Sequence, residues 1–214
     1  MPEDFGANKK DDLDTSKYPE PQREYLRVEK ELVLDFLKGA GRVLDVGIGT
    51  GRLIPDIAPY VKELYGVDLN QEYLQGAQQA AAPFTNVRLV HLNVEHLGDQ
   101  FVKNFFDKSI SIWNTIGCVE NAQAVLQGMT HVTAREVFFT CMAFGTLEPR
   151  IAYYETLGLE YSIDKKTETI FSKEWGATRP FTREQIEELV AHTDMKISKI
   201  VPATSLALAV YLRK

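Results

Sequence analysis

The stretch Arg42-Val43-Leu44-Asp45-Val46-Gly47-Ile48-Gly49-Thr50-Gly51-Arg52 constrains this chain more than any other. Val43, Leu44 and Val46 read as a buried strand. A glycine-rich turn follows, and then a helix beginning near Thr50. Glycines at alternate positions permit a tight turn and leave no Cβ in the way of a ligand. A helix entered from such a turn directs N–H groups at that ligand. Strand, turn and helix together form the opening unit of a nucleotide-binding α/β sheet.

The dinucleotide fingerprint G-x-G-x-x-G carries its third glycine one place later than Gly51, where this chain has Arg52. Asp45 stands at the strand tip, two residues before Gly47. A carboxylate there repels a pyrophosphate and suits an ammonium. At about 4 Å and an effective dielectric near 20, that attraction is about 4 kcal/mol before desolvation. The pattern points to a nucleoside with a cationic tail.

Asp45-Val46-Gly47-Ile48-Gly49-Thr50-Gly51 resembles the first motif, D/E-x-G-x-G-x-G, of the class I S-adenosylmethionine-dependent methyltransferases. The resemblance implies a Rossmann-like, doubly wound α/β fold. Its seven-stranded sheet is mostly parallel with an antiparallel last strand. It also implies S-adenosyl-L-methionine as cofactor, bound at Asp45, Gly47, Gly49 and Gly51.

Further residues fit that pattern. Glu63-Leu64-Tyr65-Gly66-Val67-Asp68 reads as a second strand ending in an acid. Asp68 lies at the spacing where a carboxylate meets ribose hydroxyls. Its other reading is the N-cap of a helix over 70–82, a place Asn70 fills equally well. The resemblance sets Leu69 beside adenine. After a third strand at 87–92 it expects an acid near the adenine amino group. This chain has Asn93 there, whose side-chain oxygen accepts the same bond, and Val94 offers its backbone N–H.

The central strand, Phe106 to Trp113, ends at the carboxyl edge, where open α/β sheets bind ligands. In the resembled family this loop faces the methionine part of the cofactor and the acceptor, which makes Asn114 a polar contact. The N/D-P-P-Y/F signature of enzymes acting on base amines or glutamine amides is absent from it, as is a Pro-Cys nucleophile. The resemblance is therefore to the small-molecule branch. Cys118 reads as a packing residue, since no neighbour in sequence would lower its pKa.

Pro19 and Pro21 precede an amphipathic helix with Tyr25, Val28, Leu32, Phe36 and Leu37 near one face. Gly39 and Gly41 end it. In the family such a helix caps the cofactor, and Tyr18, Tyr25 and Arg27 are its contact candidates beside plain packing. Pro55 falls in the first turns of the helix after Gly51, expected to run to about Tyr60. Asn121 is the expected cap of a helix to about Val132, and Glu136 to Ala143 reads as a strand buried on both faces.

Residues 144–180 form an insert leaving the carboxyl end of that strand, which sets it above the site as a substrate lid. It reads as a helix through Tyr153 and Tyr154, then a hairpin over 161–172. Trp113, Tyr154, Trp175 and Arg179 are the candidate substrate contacts, with Tyr153, Tyr161 and Phe171 as further wall residues. The alternative is a small satellite core under a long loop. Thr182 and Gln185 form a capping box, and two closing strands meet at Pro202-Ala203. A link that short forces the last strand to be antiparallel.

Met1 to Lys17 reads as a disordered tail, or as an arm that orders over a ligand. Residues 18–214 read as one domain. A formal net charge of -6 argues against a broad nucleic-acid face. Two cysteines, Cys118 and Cys141, give no metal or disulfide spacing, so no metal is expected and the compartment reads as reducing and cytoplasmic. The longest apolar run, Leu206 to Leu212, is too short to span a bilayer.

The expected chemistry is methyl transfer to a small-molecule acceptor, at N or O. An alcohol or phenol needs a general base, for which His91, His96, Glu120 and Tyr154 are the candidates; a free amine needs none. Two other readings share these features: a catalytically silent cofactor-binding partner subunit, and a nucleotide-sugar or nicotinamide enzyme on the same sheet. No motif specifies the acceptor or the oligomeric state.

Overall fold

The computed structural model describes residues 15–214. The tail expectation for residues 1–14 lies outside them. Thr15–Lys17 form a 3-10 turn that delivers Tyr18 into a buried position.

The core is a seven-stranded sheet of order β3-β2-β1-β4-β5-β10-β9. Its strands are β1 (Arg42–Val46), β2 (Glu63–Asp68), β3 (Val87–His91), β4 (Phe106–Ser111), β5 (Thr133–Met142), β9 (Lys196–Pro202) and β10 (Ala207–Arg213). The first five run parallel, and β10 is antiparallel to both β5 and β9. The strand order reverses between β1 and β4. The crevice outside their carboxyl ends is where such a sheet takes a ligand.

Local signals place the helices. α3 (Gln71–Ala81) is capped by Asn70, whose Oδ1 accepts from the N–H groups of Glu72 and Tyr73. Asn121 caps α6 (Ala122–Val132) through Ala124 N–H at 3.0 Å. Thr182 and Gln185 form both bonds of the capping box that opens α8 (Arg183–Ala191). Apolar layers cover both faces of the sheet: Leu44, Phe106 and Phe139 in one, Val43, Ile110 and Phe138 in the other.

α1 (Glu20–Phe36) buries a stripe different from the expected one. Tyr25 and Phe36 are buried, but Val28 and Leu32 are only half-buried. Gln22, Glu29 and Val33 complete the stripe instead. Two polar side chains inside a buried helical face need partners, and the sequence pattern alone does not show them.

The helix after the glycine turn is also shorter than expected. α2 covers only Ile54–Ile57, continued by a 3-10 turn over Ala58–Tyr60. Pro55 and Pro59 leave little N–H to sustain a longer helix.

The insert contains α7 (Leu147–Thr156) and a separate antiparallel sheet of β6 (Tyr161–Asp164), β7 (Thr169–Ser172) and β8 (Gly176–Thr178). The expected hairpin thus carries a third strand. Gln22 Nε2 donates to the Pro149 carbonyl at 2.8 Å and ties the insert to α1. Tyr18, Tyr153, Tyr154, Leu159 and Ile170 form its own small core.

Candidate active site

The three motif glycines have three different reasons. All adopt positive φ. A Cβ on Gly47 would overlap the Thr115 side chain, and one on Gly51 would lie 2.5 Å from Ile54 Cδ1 and against Ala77. At Gly49 a Cβ would meet nothing within 4 Å. Gly47 and Gly51 are therefore glycine for packing and backbone reasons, and Gly49 leaves open space on the ligand side. Gly47 and Gly49 line a cavity of about 930 Å³ at the carboxyl edge; Gly51 is buried behind it.

The loop's N–H groups are largely committed. Gly47 and Ile48 donate to the Val67 carbonyl at 2.8 and 3.0 Å, Gly49 donates to Asp68 Oδ2 at 2.8 Å, and Gly51 donates to the Ile48 carbonyl. The four-residue α2 starts three residues after Gly51. The expected row of free helix N–H groups does not form. What faces the cavity is acidic, which disfavours a diphosphate.

Asp45 is buried, lines the cavity, and its Oδ1 has no hydrogen-bond partner. Burial pushes its carboxyl up to about 7; Arg52 acts against that shift, and Glu29 and Asp68 add to it. A buried acceptor with nothing to accept from is a group poised for a cationic or N–H-bearing ligand.

Asp68, at the end of β2, accepts from Gly49 N–H through one oxygen and from Asn70 N–H through the other, each at 2.8 Å. The cap of α3 is Asn70 itself, so Asp68 is not used there. Each carboxylate oxygen retains acceptor capacity toward the cavity. Burial raises the Asp68 pKa against the backbone bonds that lower it. Leu69 is exposed at the rim, and its carbonyl is 2.7 Å from His91 Nε2. Asn93 and Val94 line the same end, where Asn93 Oδ1 already accepts from Glu95 N–H at 3.0 Å.

The loop after β4 is bent into an unusual shape. Trp113 and Asn114 sit at φ 53° and 63°, a region that costs a non-glycine residue roughly 1–2 kcal/mol. Trp113 N–H donates to Glu29 Oε1 at 2.8 Å, and Asn114 Oδ1 accepts from Met142 N–H at 2.9 Å. These bonds over-determine the turn, as strained backbone at functional sites requires. Both residues line the cavity. The Trp113 ring stacks on Tyr25 at 4.9 Å and Tyr18 at 6.2 Å. Tyr25 thus acts behind Trp113, whereas Tyr18 also reaches the cavity wall.

The insert supplies the upper wall through Tyr153, Tyr154 and Trp175. Tyr153 and Trp175 stack at 5.5 Å. Arg150, which the sequence pattern does not single out, also lines this end. It is buried and donates to the Glu168 and Thr178 carbonyls at 2.9 and 2.7 Å. Arg179 lies elsewhere: its guanidinium donates to the Val119 and Gly117 carbonyls and buttresses the helix α5 (Thr115–Cys118) from outside the cavity. Tyr161 and Phe171 lie outside the lining too, the first bonded to Glu155 and the second exposed. Arg27 pairs with Glu31 on the outer face of α1.

The base candidates separate in the same way. His91, His96 and Glu120 are exposed and do not line the cavity. His96 faces Asp99 at 3.3 Å. Tyr154 does line it, but burial raises its phenol well above the ordinary value and its OH is 2.9 Å from Thr178 Oγ1. It holds its proton at neutral pH. Burial likewise pushes the Cys118 thiol up to about 11, which makes it inert as a nucleophile.

Glu29, which the sequence pattern does not single out either, organises the site from behind the cavity wall. It is fully buried. One carboxylate oxygen receives Trp113 N–H and lies 2.5 Å from Thr140 Oγ1; the other binds Arg52 Nη2 at 2.7 Å. A glutamate in the buried stripe of an otherwise amphipathic helix was the available signal.

Residues 43–136 match the family model described as a methyltransferase domain. Comparison with curated proteins by sequence finds no match. The fold is similar to a protein from Pyrococcus horikoshii OT3, with TM-score 0.76 and 17% identity over 97% of this chain and 99% of that one. It is also similar to an S-adenosylmethionine-dependent methyltransferase from Clostridium acetobutylicum ATCC 824, with TM-score 0.65 and 15% identity over 89% and 91%. A third relative in fold is the 1,6-didemethyltoxoflavin-N1-methyltransferase of Burkholderia thailandensis, bound to 1,6-didemethyltoxoflavin and S-adenosylhomocysteine. There the TM-score is 0.62 and the identity 17%, over 89% of this chain and 78% of that one.

Proposed function

We propose that this chain is a class I S-adenosylmethionine-dependent methyltransferase that methylates a nitrogen or oxygen of a small molecule seated beneath the 144–180 insert. The observation that carries this reading is the single cavity-lining surface shared by the motif acids Asp45 and Asp68 and the aromatic wall of the insert. A donor and an acceptor have room to meet there, since ligand pockets commonly span about 300–1,000 Å³. The Burkholderia enzyme, whose name describes N-methylation of a small heterocycle, supports it.

The residues present fit the cofactor. Asp45 offers an unpartnered buried acceptor to its cationic amino-acid end, Gly49 gives close approach, and Asp68 has acceptor capacity for the ribose hydroxyls. Leu69, Asn93 and Val94 would flank the adenine. When bound, the cofactor supplies an electrophilic methyl on a sulfonium. The chain's own task is to hold the acceptor in line and to keep water out, which is worth up to roughly 7–11 kcal/mol in favourable cases. Among the described residues no histidine or lysine lines the cavity, and Tyr154 keeps its proton. The side chains of the lining that could take a proton are therefore carboxylates, weak bases that suit an amine acceptor.

Among the described residues no helix is long and apolar enough to cross a membrane, and no cluster of metal-ligating side chains is present. We propose a cytoplasmic location and no resident metal.

Calorimetric titration with S-adenosylhomocysteine and with a nicotinamide dinucleotide tests the cofactor. Binding of the first alone is expected, and binding of the dinucleotide alone overturns the reading. Transfer of a deuterated methyl from labelled S-adenosylmethionine into a metabolite extract tests turnover. Cofactor binding with no labelled product would favour a silent subunit instead.

A further inference from the structure

The acceptor end of the cavity carries more acceptors than donors. Gln22 is fully buried and lines the cavity; its Nε2 is spent on Pro149, and its Oε1 has no partner. Glu174, in the turn between β7 and β8, lines the same cavity, and its buried Oε2 also has none. Leaving a buried acceptor unmatched costs roughly 1–3 kcal/mol, more for a charged one. Neither is needed to hold the insert in place: Gln22 Nε2 already does so, and Trp175 N–H is held by Ser172 Oγ at 3.0 Å.

The charged side chains of the lining divide between its two ends, and at the insert end they are Glu174 and Arg150. Asp45, Asp68, Glu72 and Glu174 line the cavity against Arg52 and Arg150. Arg52 is neutralised by Glu29 at 2.7 Å. Arg150 donates to the Glu168 and Thr178 carbonyls and the Thr178 hydroxyl, acceptors of the insert itself. The walls between are the rings of Trp113, Tyr153 and Trp175.

Resting on the methyltransferase reading above, we propose that the acceptor is an amine borne on an aromatic ring system, whose N–H groups are received by Glu174 and Gln22 while its ring lies against Trp113, Tyr153 and Trp175; the Glu174 carboxylate takes the proton that an ammonium sheds, which frees the nitrogen lone pair for the methyl. Glu174 is the specificity determinant. A carboxylate-bearing acceptor without donors would leave both oxygens unmatched, and is rejected. Recognition by buried acceptors gives strong discrimination, because a ligand without donors leaves them unmatched.

The test uses the full chain saturated with S-adenosylhomocysteine, titrated with tryptamine and with indole-3-propionate, which share a ring and differ in charge. Tryptamine is expected to bind at least tenfold tighter. Glu174→Gln should bring the two within about threefold and leave S-adenosylhomocysteine affinity within twofold. Tryptamine binding no tighter than indole-3-propionate, including no binding at all, overturns the proposal. So does a preference that survives Glu174→Gln. Failure of S-adenosylhomocysteine to bind in the first titration would instead remove the cofactor reading itself, so the two failures are distinguishable.

Discussion

Glu29 and Arg52 meet at 2.7 Å, and through that contact α1 holds the residue that follows the glycine motif. The same carboxylate receives Trp113 N–H, so one side chain fixes both the cofactor turn and the strained loop after β4. It is fully buried, while Arg52 is about a third exposed. Removing one partner of such a pair leaves a charge or an N–H unmatched. Glu29→Ala is expected to lower unfolding free energy by about 3 kcal/mol, measured by urea denaturation. Glu29→Gln, which keeps the acceptor for Trp113, should cost less than half of that. Equal costs would mean that the charge pair carries the whole effect.

The Asp45 carboxyl titrates near 7 in the fold against an ordinary value of 3.8. Its folded pKa is raised, so the fold favours the protonated form. That contribution is complete below about pH 4 and is lost as pH rises through 7. A shift of this size corresponds to at most roughly 4 kcal/mol. The cofactor-free protein should melt at a lower temperature at pH 8 than at pH 5.5, and Asp45→Asn should flatten most of that slope. Asp68, raised in the same direction, leaves a smaller residual slope. A ligand with an ammonium should bind the ionised form, so stabilisation by S-adenosylhomocysteine should grow from pH 5.5 to pH 8. Differential scanning fluorimetry across pH reads both; a flat wild-type profile contradicts the assignment.

The sheet was legible because each strand announces itself locally. Val43 to Val46, Leu64 to Asp68 and Val137 to Met142 are short apolar runs bounded by Gly, Asn or charged residues. The turn after Pro202 forces the antiparallel β10, and the caps at Asn70, Asn121 and Thr182 are short-range chemistry. What escaped the sequence depends on partners far along the chain. Glu29 and Gln22 look like surface residues until Trp113, 84 residues on, and Pro149, 127 residues on, arrive to meet them. Arg179 looks like a substrate contact until the Gly117 and Val119 carbonyls claim it. Positive φ at Trp113 has no local signature, whereas Asn114 belongs to a residue type that adopts it more readily than most.

Asp68→Ala removes acceptors from Gly49 and Asn70 N–H as well as from the proposed ribose contact. It should therefore weaken S-adenosylhomocysteine binding by a factor of tens or more and also cost about 1–2 kcal/mol of stability. Asp68→Asn keeps one acceptor and should recover part of the stability but little of the affinity. Calorimetry and urea melts on the pair separate the two roles. Unchanged affinity in both variants would remove Asp68 from the ligand.

Gly47 and Gly49 share a positive φ but face different surroundings, and alanine at each should fail differently. Both substitutions carry a backbone cost of roughly 1–2 kcal/mol. At Gly47 the new methyl overlaps Thr115 and forces α5 away from the loop, so Gly47→Ala should lose several degrees of melting temperature beyond Gly49→Ala. At Gly49 the methyl enters open space that the proposal gives to the cofactor. Gly49→Ala should keep a fold close to wild type and bind S-adenosylhomocysteine at least tenfold more weakly. If Gly49→Ala binds as well as the wild type, the open side of that glycine is not where the ligand lies, because a methyl group cannot share the space.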